Sequence, residues 1–226
     1  YGADWWEVTN NSAETIDMTG FKMDDSSGSF ASGATLTGVS SLAPGKSAVF
    51  IEGDSTTAGL FTNSWFGISP PAGFQIGYYA GSGIGLSGGG DGLNIFNSTG
   101  DRLTGVVFGT ATQFKSFDNA VGLGGFAPPL PTISQLSADG VNGAFTNHDE
   151  TGSPGTIVSP PPLPTIKVTE VSPSSSSNGA YLGDWFELTN TGGVAVDLTD
   201  WKVDDGSASF ASAIALSGVT SIAPGQ

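Results

Sequence analysis

The amino-acid sequence predicts an all-β protein built as a β-sandwich. Short segments in which apolar and polar side chains alternate recur along the chain. Turn-forming residues separate them, since the 226 residues include 35 Gly and 13 Pro. A long similarity between segments 180 residues apart indicates that one structural unit is used twice. Many short strands and a repeated unit together favour a sandwich over a helical or mixed fold.

The strands follow one another with turns every 8 to 12 residues or so, which is typical of an immunoglobulin-like β-sandwich. In the first segment Trp6, Val8 and Asn10 alternate with Trp5, Glu7 and Thr9. The segments 92–96 and 103–108 flank a turn, which predicts a hairpin. In chain order, the predicted strand regions are 5–10, 15–25, 48–51, 74–79, 92–96 and 103–108.

The repeat fixes the domain organisation. The heptapeptide DWWEVTN at 4–10 returns as DWFELTN at 184–190, and the alignment continues without a gap to the Ala-Pro-Gly turns at 43–45 and 223–225. We therefore expect one nearly complete sandwich that lacks its first strand, a proline-rich linker, and the N-terminal part of a second sandwich. The predicted bounds of these parts are 1–158, 159–164 and 165–226.

Composition excludes several classes of function. The chain has no cysteine, which rules out disulfides, cysteine metal ligands and cysteine nucleophiles. Its net charge of −15, with only six Lys and Arg, opposes binding to nucleic acid and to anionic membranes. No apolar stretch is long enough for membrane insertion. Such a composition suits a protein exported from the cell, and it could attract divalent cations.

Six segments of the two copies carry a resemblance to one known family. In the second copy they are an opening strand, the two regions that follow it and a turn; in the first copy they are a later hairpin and a closing Ser/Thr-Pro-Gly segment. These segments are 166–171, 185–190, 196–203, 222–225, 90–109 and 151–156. Together they resemble the lamin-tail domain. The resemblance implies an immunoglobulin-like sandwich and, in bacteria, a non-catalytic part of an exported protein, sometimes fused to a hydrolase. It supplies no catalytic residues.

Two charged residues recur in both copies. Period-two counting places Glu7 and Lys22 on solvent-facing sides of neighbouring strands, so we predict a cross-strand pair, repeated as Glu187 and Lys202. An alternative is an isopeptide bond from Lys22 to Asn10 with Glu7 as catalyst. Period two disfavours that bond, because Asn10 and Glu7 fall on opposite faces.

Paired aspartates also recur, as Asp24-Asp25 and Asp204-Asp205 beside Ser/Gly turns. The simpler interpretation is that their side chains cap tight turns. The functional interpretation is a calcium site, although the spaced Asp/Asn ladder of a calcium loop is missing. Calcium is the one cofactor that the sequence leaves open.

Signs of catalysis or of a ligand site are few. A glycine-rich stretch at 83–89 matches nucleophile and dinucleotide strings, but a strand rather than a helix follows it. His148 is the single histidine and lies in a polar loop, so we do not expect an enzyme. Trp5 and Trp185 fall on the faces opposite the predicted core and are candidates for stacking on a sugar.

The second copy holds only opening strands, which would leave an apolar face exposed. We expect neighbouring chains to complete one another, with the segment 166–171 donated to the position before Tyr1 of the next chain. Its assembly residues would be Ile166, Val168, Glu170 and Val171. The predicted function is a structural, self-associating repeat module of an extracellular fibre, sheath or cell-surface protein. The alternative is an accessory module of a larger secreted enzyme that binds polysaccharide or another surface.

Overall fold

A computed structural model describes residues 1–81, 84–156, 166–173, 183–192, 194–206, 209–210 and 212–226. The chain forms two compact units, 1–160 and 161–226, which are described separately. The predicted linker at 159–164 lies outside the described residues. In the part that is described, no helix is long and apolar enough to cross a membrane.

Unit 1 contains twelve short strands and one helix among its described residues. These are β1 (Trp5–Thr9), β2 (Ile16–Asp17), β3 (Lys22–Asp24), β4 (Ala34–Thr35), β5 (Ser41–Leu42), β6 (Ser47–Glu52), α1 (Ser55–Phe66), β7 (Ile76–Tyr79), β8 (Asp91–Phe96), β9 (Arg102–Phe108), β10 (Thr132–Ile133), β11 (Phe145–Asn147) and β12 (Glu150–Gly152). One sheet has the order β1-β6-β7, and a five-stranded sheet has the order β10-β9-β8-β3-β4.

The main core lies between these two sheets. Trp6 of β1, Phe50 of β6 and Tyr79 of β7 come from the three-stranded sheet, and Met23 and Ile95 come from the five-stranded sheet. Trp6 and Phe50 stack with their ring centroids 4.8 Å apart. Because both sheets contribute apolar side chains to one core, the fold is the immunoglobulin-like β-sandwich that the sequence predicts.

Helix α1 is an element that the sequence analysis did not predict. Asp54 caps its N-terminus, since its carboxylate accepts hydrogen bonds from the backbone N–H groups of Thr56 and Thr57. Its buried residues Phe61 and Trp65 pack on the outer face of the three-stranded sheet, in a second cluster with Val49 and Ile51 of β6. β6 is therefore covered on both faces, which explains its continuous apolar run.

Unit 2 contains β13 (Ile166–Ser172), β14 (Trp185–Asn190), β15 (Val196–Asp197), β16 (Lys202–Val203), β17 (Ile214–Ala215) and β18 (Ser221–Ile222) among its described residues. These strands form two-stranded pairs, of which the longest is the antiparallel pair of β13 and β14. Phe186 is 37% exposed, whereas Trp6, its counterpart 180 residues earlier, is 6% exposed. The apolar face of this unit is thus less covered than that of unit 1.

Candidate functional site

The outer edge of β1 is the first part of the candidate site. Asp4 and Asn10, at the two ends of β1, hydrogen-bond toward β6 and the segment before it. In an antiparallel pair the backbone groups alternate in direction, so those of Trp5, Glu7 and Thr9 point away from β6. Within the described residues these three make no backbone hydrogen bond on that side. Among the described residues β1 therefore lies at the edge of its sheet.

In unit 2 the corresponding edge is occupied. β13 pairs with the outer edge of β14, with Lys167 opposite Thr189 and Glu170 opposite Glu187, and with a bulge after Val168. On the inner side, the backbones of Asn10 and Asn190 are used in the same way. Each makes hydrogen bonds with the backbone of the residues 35 and 36 positions later in the chain. An antiparallel strand is thus the element that this edge accommodates.

In this structure the predicted assembly strand pairs within its own copy, and its donation to another chain stays a prediction. Ile166 and Val168 pair with β14 of their own copy, as do Glu170 and Val171 beyond the bulge. Val168 and Val171 are about three-fifths exposed, so their side chains are not covered by this pairing. The strand exists where the sequence predicts it, and within this chain one of its edges is paired with β14.

The predicted Glu7–Lys22 pair is wrong, because β1 and β3 lie in different sheets. Glu7 lies on the helix-covered face, where its carboxylate accepts hydrogen bonds from the Ser47 hydroxyl and from the backbone N–H of Gly155 at 3.1 Å. Burial raises the pKa of Glu7 from 4.5 to about 7, and the two hydrogen bonds oppose that rise. Glu7 therefore connects β1, β6 and the closing segment.

Lys22 instead contacts an aromatic ring. Its Nζ lies 4.7 Å from the centre of the Phe30 ring and donates to the Phe30 carbonyl oxygen at 3.2 Å. Lys202 repeats this arrangement with Phe210, at 4.4 Å from the ring centre. These are cation–π contacts within one loop. The sequence carried a signal for them, since Phe30 and Phe210 recur at the same offset as the lysines.

The predicted Glu187–Lys202 pair is wrong, as is the Glu7–Lys22 pair. Glu187 is exposed on β14, and its Oε1 accepts a hydrogen bond from the Thr169 hydroxyl at 2.6 Å. Lys202 lies on β16, which is paired with β17 rather than with β14. The two copies therefore give Glu7 and Glu187 different surroundings despite their identical sequence positions.

The aspartate pairs hold turns. Asp24 is buried, and its Oδ2 accepts from the backbone N–H of Ser29 at 2.7 Å, while Asp25 accepts from Ser27 N–H at 2.8 Å. Asp204 repeats the first bond with Ser209 at 2.7 Å, and Asp205 follows it in the same turn. No group of three or more Asp, Glu, His or Cys suited to a metal occurs in the described ranges. The geometry favours turn capping for these residues.

Asn10 and Asn190 are recurring residues whose role the sequence analysis missed. Both are fully buried, and each side-chain amide donates to two backbone carbonyl groups, of Glu14 and Leu42 for Asn10, and of Val194 and Ile222 for Asn190. These hydrogen bonds hold the Asn10 amide against the backbone of Glu14 and Leu42. Lys22 lies on β3, in a different sheet from β1. The geometry does not support an isopeptide bond between them.

Trp5 is packed rather than exposed. Its ring contacts Phe61 and Trp65 of α1, and its Nε1 donates to Glu150 Oε1 at 2.9 Å. Burial and a hydrogen bond to the same Glu150 raise the pKa of Tyr1. Trp185 is half-buried at the start of β14. Trp5 is thus part of an aromatic cluster and offers no open face to a sugar.

The remaining catalytic candidates also have structural positions. His148 lies in the turn between β11 and β12 with a positive φ of 47°. The described part of the glycine-rich stretch, 84–89, is a loop that leads into strand β8, as predicted, so it lacks the helix that both strings need. Neither feature assembles an acid, a base and a nucleophile in the part of the chain that is described.

Fold and side-chain geometry together define a class: an immunoglobulin-like sandwich module whose recurring polar residues hold its loops. Residues 1–110 and 159–226 match the model of the Lamin Tail Domain family, and the chain belongs to that family. It is a family of structural, immunoglobulin-like domains rather than of enzymes. No curated protein and no solved structure matches the chain.

Proposed function

We propose that the chain is a non-catalytic structural module of an exported protein at the cell surface or outside the cell, and that it acts by associating with further copies of itself. The observation that carries the proposal is that β1 and β13 each lie at the edge of a sheet among the described residues, and that the counterpart of the β1 edge, on β14, pairs with a strand. Unpaired N–H and C=O groups along a strand edge are a template for another chain.

The occupant of this edge is β13 of a second copy, which keeps its own β14. In the described residues β13 has a neighbour on one side only, so its other edge is available as well. Joining two different edges gives a head-to-tail contact, which continues into a filament if the rotation does not close a ring. The chain then needs no exchange of strands to polymerise.

Charge sets the conditions for association. Each chain carries a net charge of −15, so copies repel one another at low ionic strength. Salt or divalent cations would reduce this repulsion and promote the contact. The alternative function, an accessory module that binds polysaccharide, has less support because Trp5 is packed against α1.

The test is the particle mass in solution, measured by light scattering across a range of concentration and salt. Thr9→Pro removes an outward N–H and places a ring on the edge of β1, whereas the matched control Thr9→Ala keeps that N–H. We expect the unmodified chain and Thr9→Ala to form polymers and Thr9→Pro to stay monomeric, with its fold checked by circular dichroism. A monomeric unmodified chain under all conditions would refute the proposal, as would polymers of Thr9→Pro.

A further inference from the structure

One end of the three-stranded sheet brings two carboxylates and a phenol side by side. The Asp4 carbonyl accepts a hydrogen bond from the N–H of Glu52 at 2.9 Å, and Glu52 lies opposite Tyr79 in the pairing of β6 with β7. Period two places Asp4 on the face of Trp6 and Glu52 on the face of Phe50. All three side chains therefore lie on the core-facing side of the sheet, at the margin of the core.

Two buried polar groups at this margin, the Tyr79 hydroxyl and the Trp6 Nε1, make no hydrogen bond of good geometry. Tyr79 is 1% exposed and Trp6 is 6% exposed, and the two groups lie close enough to interact with each other. Burial, followed by the negative charges of Glu52 and Asp4, raises the pKa of Tyr79, and an interaction with Trp6 opposes that rise. An unsatisfied buried polar group costs about 1–3 kcal/mol unless a bound species satisfies it.

The loop before β8 closes over these carboxylates. Leu86 N–H donates to Asp4 Oδ2 at 3.0 Å, and a Cβ on Gly85 would lie 3.5 Å from a carboxylate oxygen of Glu52. Ile84 belongs to the core. No Lys or Arg among the described residues forms an ion pair with Asp4 or Glu52. Two like charges directly opposite each other on antiparallel strands are destabilising, and a bound cation would offset their repulsion.

We propose that Asp4 and Glu52 bind a divalent cation, Ca²⁺, between them, with the Tyr79 hydroxyl oxygen as a further ligand. Calcium fits because it takes carboxylate, hydroxyl and water oxygens in irregular geometry, whereas zinc prefers His and Cys. A bound cation removes the repulsion between the two strands and gives the Tyr79 hydroxyl a partner. This site differs from the aspartate pairs that the sequence indicates, and it is separate from the edge proposed for association.

Terbium luminescence tests the site directly. Tb³⁺ substitutes for Ca²⁺ and emits when a nearby tryptophan is excited, and Trp6 lies at this margin. We expect the chain to sensitise Tb³⁺, Ca²⁺ to displace it, and Ca²⁺ to raise the melting temperature. Glu52→Gln, which keeps the shape and loses the charge, should lower the affinity for Tb³⁺ and for Ca²⁺ on the order of tenfold or more. Asp25→Asn is the control, because Asp25 caps a turn.

The outcomes of these experiments decide whether Asp4 and Glu52 bind Ca²⁺. Loss of binding in Glu52→Gln with normal binding in Asp25→Asn supports the site, and Tyr79→Phe should then weaken binding without unfolding the chain. If Ca²⁺ neither displaces Tb³⁺ nor shifts the melting temperature, a buried water fills the space and the proposal fails. It also fails if Glu52→Gln binds as the unmodified chain does, or if Asp25→Asn abolishes binding.

Discussion

Replacing Glu7 by Gln should stabilise the protein above neutral pH. Glu7 lies between β1, β6 and the closing segment, and burial raises its pKa from 4.5 to about 7. The folded chain therefore holds a proton between these values that the unfolded chain has released. Because the folded state binds more protons, the free energy of unfolding falls as pH rises through this window and is lowest above pH 7. Glutamine keeps an acceptor oxygen for Ser47 and Gly155 but has no charge to bury.

The magnitude follows from the shift. One pKa unit corresponds to about 1.4 kcal/mol, so the rise from 4.5 to about 7 gives an upper bound of roughly 3.5 kcal/mol. Glu7 is only partly shielded from water, which reduces the expected gain to about 1–2 kcal/mol. Below the unfolded-state pKa, Glu7 is neutral in the folded and the unfolded chain, as Gln is at every pH. The unfolding free energies of Glu7→Gln and of the unmodified chain should then differ little.

Denaturant unfolding at a series of pH values measures this difference. The quantity of interest is the unfolding free energy of Glu7→Gln minus that of the unmodified chain, which should be near zero at acidic pH and positive at alkaline pH. The matched control is Glu187→Gln, since Glu187 is exposed and should show no such trend. A Glu7→Gln variant that is destabilised by the same amount at every pH would refute the argument, because a difference that does not depend on pH cannot come from the ionisation of Glu7.

Two further predictions concern the helix. Phe61→Ala should cost about 3–5 kcal/mol of unfolding free energy, because Phe61 is fully buried between α1 and the sheet; thermal unfolding that is unchanged would show that the second cluster contributes little. Asn147→Ala should cost about 1–2 kcal/mol, because the Asn147 amide donates to the carbonyls of Ser64 and Trp65 at 2.7 and 2.9 Å at the end of α1. Backbone hydrogen exchange in α1 should increase in this variant, and unchanged exchange would contradict the role of Asn147.

The sequence predicted the strands well because their signal is local. Alternation in β1 and the hairpin of β8 and β9 both depend on neighbouring residues, and both occur in the structure. Helix α1 was missed because its segment is rich in Ser, Thr, Gly and Asn, which are weak helix formers. A signal was nevertheless present: Asp54 before two threonines is a typical N-cap, and Ala58, Phe61 and Trp65 repeat at helical spacing.

The errors at Trp5 and Glu7 follow from that one omission. Period two correctly placed Trp5 and Glu7 on the face opposite Trp6, but we assumed that this face meets solvent. Helix α1 and the closing segment cover it, so Trp5 joins an aromatic cluster and Glu7 is shielded. Which strands share a sheet is likewise not encoded in alternation, and this is why Lys22 was assigned to the wrong neighbour.

The two copies show which sequence features determine their own structure. Asp24 with Ser29 and Lys22 with Phe30 are five and eight residues apart, and both contacts recur 180 residues later. Glu7 contacts Gly155 across 148 residues, and Glu187 does not reproduce that environment. Local contacts need only the loop that carries them, whereas long-range contacts need the whole sandwich. Recurrence of a residue in this chain is therefore evidence for its role only when its partner recurs with it.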